Sequence, residues 1–136
     1  MSAASFSIKS NASDRELVFL APRRDYFVAD LRGSGVGAKR EVYAYTDAKG
    51  LAMFFSRLAA YERPWNAAER WESLEGEFLL QAVCSALGAV KFSVRIRDML
   101  GGPEEWEVSA NLVTELGQLP GIASRAESFF NVVASA

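Results

Sequence analysis

Glu72, Glu75 and Glu77 stand close together in RPWNAAERWESLEGEFLL, the stretch from Arg63 to Leu80, which also holds two of the three tryptophans. On a regular strand Glu75 and Glu77 would point the same way, roughly 7 Å apart. Paired carboxylates at that spacing suit a hard cation or general acid–base work. Arg95 and Arg97 lie on a later basic stripe, and a cleft between two halves of the chain would join Arg95 to these glutamates as a small-ligand site. No histidine or aspartate lies beside the glutamates to complete a catalytic or metal site. The plainer reading is a solvated strand face, with Gly76 at a bulge.

The rest of the composition narrows the chemistry further. The 136 residues include no histidine, which excludes a histidine general base, a Ser–His pair and imidazole ligation within the chain. The one cysteine, Cys84, excludes an internal disulfide and a cysteine zinc site. Cys84 has the parity of a strand's core face, so a buried, inert thiol is expected. No catalytic set, metal or cofactor is therefore expected, and a non-enzymatic protein is. A net charge of −2 gives no global pull towards nucleic acid or anionic lipid. The opening residues lack the basic and apolar regions of a signal peptide, and no apolar run reaches membrane-spanning length. A soluble cytoplasmic protein is the expectation.

Three other patterns bear on binding. Gly33-Ser34-Gly35-Val36-Gly37-Ala38-Lys39 has the glycine content of a phosphate loop, but a strand follows it where such loops need a helix N-terminus. A flexible hairpin tip is the reading. Lys91, Arg95 and Arg97, with Tyr26, Tyr43, Tyr45 and Trp106 as stacking platforms, would suit single-stranded nucleic acid. Glu105 and Glu107 neutralise that stripe, and Trp106 has core parity. Tyr43, Tyr45, Trp65 and Trp71 fall outside the clean core pattern and are the candidate anchors for a partner. The alternative is that they cover the open side of a sheet in their own chain.

The elements that position these residues follow from hydrophobic period. Ser5–Lys9 alternates as a short strand. Leu17–Leu20 reads as a buried strand broken by Pro22, and Tyr26–Arg32 and Arg40–Thr46 read as two more around the glycine loop. Asp47 is a helix N-cap, followed by Leu51, Phe54, Phe55 and Leu58 on one helical stripe that ends near Tyr61, before Pro64. The pattern then begins again. Phe78, Leu80, Ala82 and Cys84 share one face; Val90, Phe92, Val94 and Ile96 the next; Trp106, Val108, Ala110 and Leu112 a third. Leu119 to Val133 makes a second amphipathic helix with Pro120 at its start.

Inward positions of those last three strands are all even-numbered, so paired residues sum to an even number. A three-residue hairpin loop such as Leu87-Gly88-Ala89, with Gly88 at positive φ, fits that parity. One allowed register of the next hairpin sets Arg97 opposite Glu105 and Arg95 opposite Glu107. Glu16–Leu20 mirrors Glu77–Gln81, and Phe27–Arg32 mirrors Phe92–Arg97. The expected fold is α+β: two tandem β-β-β-β-α units, antiparallel sheets packed with two amphipathic helices. Residues 1–136 form a single domain, with half-repeats at about 4–61 and 69–134 linked by 62–68.

From Trp65 through Trp71-Glu72-Ser73-Leu74-Glu75-Gly76-Glu77-Phe78-Leu79-Leu80 to Leu87-Gly88-Ala89-Val90 and Val94-Arg95-Ile96-Arg97, the chain resembles a family of small bacterial proteins of unknown function. The likeness includes Asp25-Tyr26-Phe27 and Gly117-Gln118-Leu119. A glycine commonly follows the first tryptophan by two positions in that pattern, where this chain has Ala67. The resemblance implies a bacterial, non-secreted domain and no catalytic residues. In topology alone, two tandem four-strand-plus-helix units are similar to PUR-repeat and Whirly-type folds, which include single-strand nucleic-acid binders and some immunity proteins.

These observations together point to an interaction protein, with an immunity-like role as one form, that binds a protein partner or a second copy through aromatic surface around the tryptophan-rich link. Single-stranded nucleic-acid binding and small-ligand binding between the halves are the alternatives.

Overall fold

The computed structural model describes residues 4–44 and 48–135; the anticipated anchor Tyr45 and cap Asp47 lie outside the described residues. Strands β1 (Phe6–Lys9), β2 (Glu16–Arg23), β3 (Tyr26–Gly33) and β4 (Val36–Tyr43) precede helix α1 (Ala48–Ala60). Strands β5 (Glu69–Glu72), β6 (Phe78–Cys84), β7 (Ala89–Asp98) and β8 (Trp106–Glu115) follow. A 3-10 turn (Leu116–Gln118) then leads into helix α2 (Leu119–Ser135). Each group of four strands is one antiparallel sheet in sequence order. The chain is α+β, and a helix follows each sheet.

Alternation decides which face of each strand is inward. Phe27, Ala29 and Leu31 are buried on β3, and their partners on β4 are Val42, Arg40 and Ala38. Phe92, Val94 and Ile96 are buried on β7, opposite Ala82, Leu80 and Phe78. The helices cross over. Helix α1, which follows the first sheet, packs on β5 of the second; α2, which follows the second, packs on β1 and β2 of the first. The helices also pack on each other. A helix-on-sheet layer of one unit alone would leave an apolar face in water, so each unit supplies the other's cover.

Phe19 sits at the centre of this arrangement. Its ring stacks on Phe6 at 4.5 Å and meets Phe27, Phe55, Phe78, Phe129 and Phe130 at 5.7 to 6.3 Å. Those rings come from both sheets and both helices. Tilted and edge-to-face pairs at these spacings add to the burial of large apolar area.

Several local expectations are corrected. Strand β2 does not stop at Pro22 but runs on to Arg23, because the ladder jumps from Leu20↔Val28 to Arg23↔Tyr26. That irregularity, with Ala21 at φ 52, takes Pro22 out of the ladder so that its missing N–H breaks no sheet bond. The glycine segment is a hairpin tip, but a shorter one than the run from Gly33 to Lys39 suggests. β4 starts at Val36, opposite Gly33, leaving Ser34-Gly35 as a two-residue turn. Asp14 accepts from the Ser34 amide and hydroxyl, which holds its carboxyl below the ordinary range.

The β6–β7 loop has three residues, but they are Ala86-Leu87-Gly88, since the Ser85 amide donates to the Ala89 carbonyl. Gly88 has φ +88, as anticipated. The next hairpin is shifted by one pair step, with Arg97 opposite Glu107 and Arg95 opposite Ser109. Cys84 is half-buried where full burial was anticipated, at the end of β6 beside the turn.

Candidate cleft between the two units

The turn joining β5 to β6 is Ser73-Leu74-Glu75-Gly76-Glu77. The Gly76 amide donates to the Ser73 carbonyl, and Gly76 takes φ +77. The segment was anticipated as a strand with a bulge at Gly76, and the left-handed glycine makes it a tight turn instead. The turn separates the two glutamates. Glu75 is exposed at its tip, whereas Glu77 is 1% exposed.

Burial of Glu77 is matched by bonding. Its Oε1 accepts from the Ser73 hydroxyl, and its Oε2 accepts from the Tyr43 amide at 3.2 Å. The Ser73 oxygen accepts in turn from the Phe78 amide at 3.0 Å. A buried carboxylate without such donors would be costly. Here one carboxylate ties the end of β4 to the start of β6.

Around this joint lies a cleft of about 740 Å³. The first unit lines it with Tyr26, Lys39, Arg40, Glu41 and Tyr43, and the second with Glu75, Glu77 and Asp98. Tyr26 and Tyr43, neighbours across the β3–β4 ladder, have ring centroids 5.1 Å apart. Arg23 places its guanidinium 4.0 Å from the centre of the Tyr26 ring and donates to Glu41 at 2.7 and 3.0 Å. Arg40 crosses between the sheets to Asp98 at 2.6 Å and to the Arg97 carbonyl at 3.3 Å. Glu75 forms no ion pair among the described residues. The lining thus sets four carboxylates against two cations, with an aromatic wall on one side.

The other anticipated site residues are elsewhere. Arg95 pairs with Glu72 at 3.0 Å on the outer face of the second sheet, away from the cleft lining. Arg97 donates to the Gly76 carbonyl at 2.8 Å and lies 3.9 Å from Glu107. The basic stripe is therefore largely met by carboxylates and a carbonyl of its own chain.

Trp65 and Trp71 are 6% and 7% exposed and belong to the core. Trp65 stacks on Tyr61 at 4.5 Å, its indole nitrogen buried without a partner among the described residues, and Trp71 lies against Phe78. Little of either ring is left at the surface.

Sequence reasoning missed Tyr26, Lys39, Arg40, Glu41 and Asp98 as cleft residues. One signal was available. Arg40 alternates with Val42 and Ala38 on the inward face of β4, where a charge needs a partner reaching in from the other unit. Asp98 is that partner.

The profile of one protein family matches residues 11–133, nearly the whole chain. This chain belongs to DUF6228, a family of unknown function. The match covers every cleft residue of both units in this DUF6228 chain. No curated protein and no solved structure matches it. No group of three or more acidic or cysteine side chains placed to hold a metal occurs among the described residues. No helix among them is long and apolar enough to cross a membrane.

Proposed function

We propose that this DUF6228 chain is a non-enzymatic protein–protein interaction module whose contact centre is the cleft, and that it takes a basic side chain of the partner there. The observation that carries this reading is the convergence of Tyr43, Glu75 and Glu77, from different units, beside Tyr26 in one concavity. A tyrosine wall next to an exposed carboxylate that has no ion pair among the described residues suits a guanidinium or ammonium group through cation–π and ionic attraction together. The chain contains a small example of that chemistry, because Arg23 already lies over the Tyr26 ring while bonding Glu41. Burial of Trp65 and Trp71 moves the contact from the tryptophans to this tyrosine pair. In this reading the segments 4–61 and 69–134 act as half-repeats of one domain, and the cleft exists only because both are present.

The test is fluorescence anisotropy with labelled peptides of equal length, one rich in arginine and lysine and one rich in glutamate. The basic peptide binds, its affinity falls with added salt, and Tyr43→Ala and Glu75→Gln each weaken it several-fold. Equal binding of both peptides, or none of either, overturns the reading. The cleft volume of about 740 Å³ favours a second reading, a small cationic ligand. Arginine amide that binds as tightly as the basic peptide would select it.

A further inference from the structure

A second concavity, of about 780 Å³, lies where β1 and the turn after it meet the 3-10 turn and the first turn of α2. It shares no lining residue with the cleft. Its charged side chains are Lys9 and Arg125, and no aspartate or glutamate lines it. Neither cation forms an ion pair among the described residues, although Glu16 stands across the ladder from Lys9. A methyl group on Gly121 would lie 3.4 Å from Arg125 Nη1, so the guanidinium folds back over the backbone at the start of α2. That helix has no acidic residue in its first turn, and the Glu115 carboxylate ahead of it is taken up by the Gln118 amide.

An independent feature points to a ligand. Thr114 lines the same cavity, is 1% exposed, and its Oγ1 has no hydrogen-bond partner among the described residues. Buried hydroxyls are ordinarily satisfied, and an orphaned one costs stability unless something fills the gap. Ser10, also in the lining, accepts from the amides of Ala12 and Val113, which leaves its own proton to donate elsewhere.

We propose that this cavity binds a small molecule carrying a phosphate group. The phosphate sits between Lys9 and Arg125, with the Thr114 hydroxyl as a donor. Two cations from separate elements favour a multiply charged oxyanion over a single carboxylate. The volume exceeds what phosphate alone fills, so the remainder accommodates an ester substituent. This inference stands apart from the cleft and does not depend on it.

Titration of the ¹⁵N-labelled full chain with glycerol 3-phosphate and, separately, with inorganic phosphate tests it, with sodium chloride at matched ionic strength as control. Saturable shifts are expected at Thr114, Gly117, Gly121 and Ile122. Lys9→Gln and Arg125→Gln should each weaken binding by roughly tenfold, the scale of one lost charge-assisted bond. Both residues are exposed, and the amide spectrum of each variant reports directly on its fold. Thr114→Val, of matching shape, should weaken binding without unfolding the chain. Tighter binding of the ester assigns the site to phosphomonoesters; equal affinity assigns it to free phosphate. Shifts that sodium chloride reproduces, or saturable shifts that survive both charge substitutions, overturn the proposal.

Discussion

The amide of Tyr43, the last residue of β4, donates to Oε2 of Glu77, the residue before β6, at 3.2 Å. A polar bond between units is thus made by a side chain that is 1% exposed. The other carboxylate oxygen takes the Ser73 hydroxyl, so Glu77 closes its own turn and fixes the cleft wall with one group. Removing it should both loosen the turn and free the end of β4.

Glu77→Ala is therefore expected to destabilise the chain by about 1–3 kcal/mol, the cost of leaving buried donors unsatisfied. Urea unfolding measures this, and Ser73→Ala provides the second edge of a double-mutant cycle. The two changes should be strongly non-additive, because each removes the same bond. Simple additivity would show that the carboxylate and hydroxyl act separately.

Gly76 and Gly35 both have φ +77, yet alanine should not cost the same at each. At Gly35 an added methyl meets nothing within 4 Å, so only backbone strain of roughly 1–2 kcal/mol applies. At Gly76 the methyl would lie 3.0 Å from Arg97 Nη2. Arg97 would have to shift while it holds the Gly76 carbonyl at 2.8 Å. Gly76→Ala is expected to lower the urea midpoint more than Gly35→Ala. An equal drop would mean that Arg97 moves aside freely.

Period-2 alternation on β6 and β7 and the two helical stripes were legible because burial on one face imposes them. The doubled β-β-β-β-α order followed from the same signal. Three features were not. The position of Pro22 inside β2 depends on a bulge, and no local pattern announces a bulge. The β7–β8 register obeyed parity, but parity leaves every two-residue slip open, and Arg97 met Glu107 where Glu105 was anticipated. The cleft is formed by two groups of residues far apart in sequence, such as Tyr43 and Glu77, 34 positions apart, brought together by packing of two sheets. Of its residues Tyr43, Glu75 and Glu77 stood out by type and spacing, and Arg40, charged on an inward face, carried a further readable mark.

Phe19→Ala should be among the most damaging single changes in the chain. The ring is fully buried and touches rings from both sheets and both helices. Truncation of a buried phenylalanine costs about 3–5 kcal/mol, a large share of a small domain's stability. Urea unfolding with near-ultraviolet circular dichroism should show a sharply lowered midpoint and weakened aromatic signal. A loss below about 1 kcal/mol would mean the surrounding rings collapse into the space.

Tyr61 links α1 to β5 in a way that should fail in alkali. Its hydroxyl donates to Glu69 Oε2 at 2.7 Å, while Glu69 Oε1 accepts from Arg57 at 3.3 Å. The bond to Glu69 holds the Tyr61 pKa above its ordinary value of 10.0, with burial and the glutamate's charge adding and Arg57 opposing. A raised folded pKa means the folded chain keeps this proton more tightly than the unfolded one. The contribution is then fully present below the unfolded value, about 10, and is lost as pH rises through the higher folded value. Tyr61→Phe removes the bond at every pH and retains the ring stacked on Trp65. The wild-type advantage over this variant in urea midpoint should thus be constant near about pH 8 and shrink above about pH 10. Taking the difference cancels every effect of pH that both proteins share. An advantage that stays level or grows through that range would show that the Glu69 bond does not hold the Tyr61 proton.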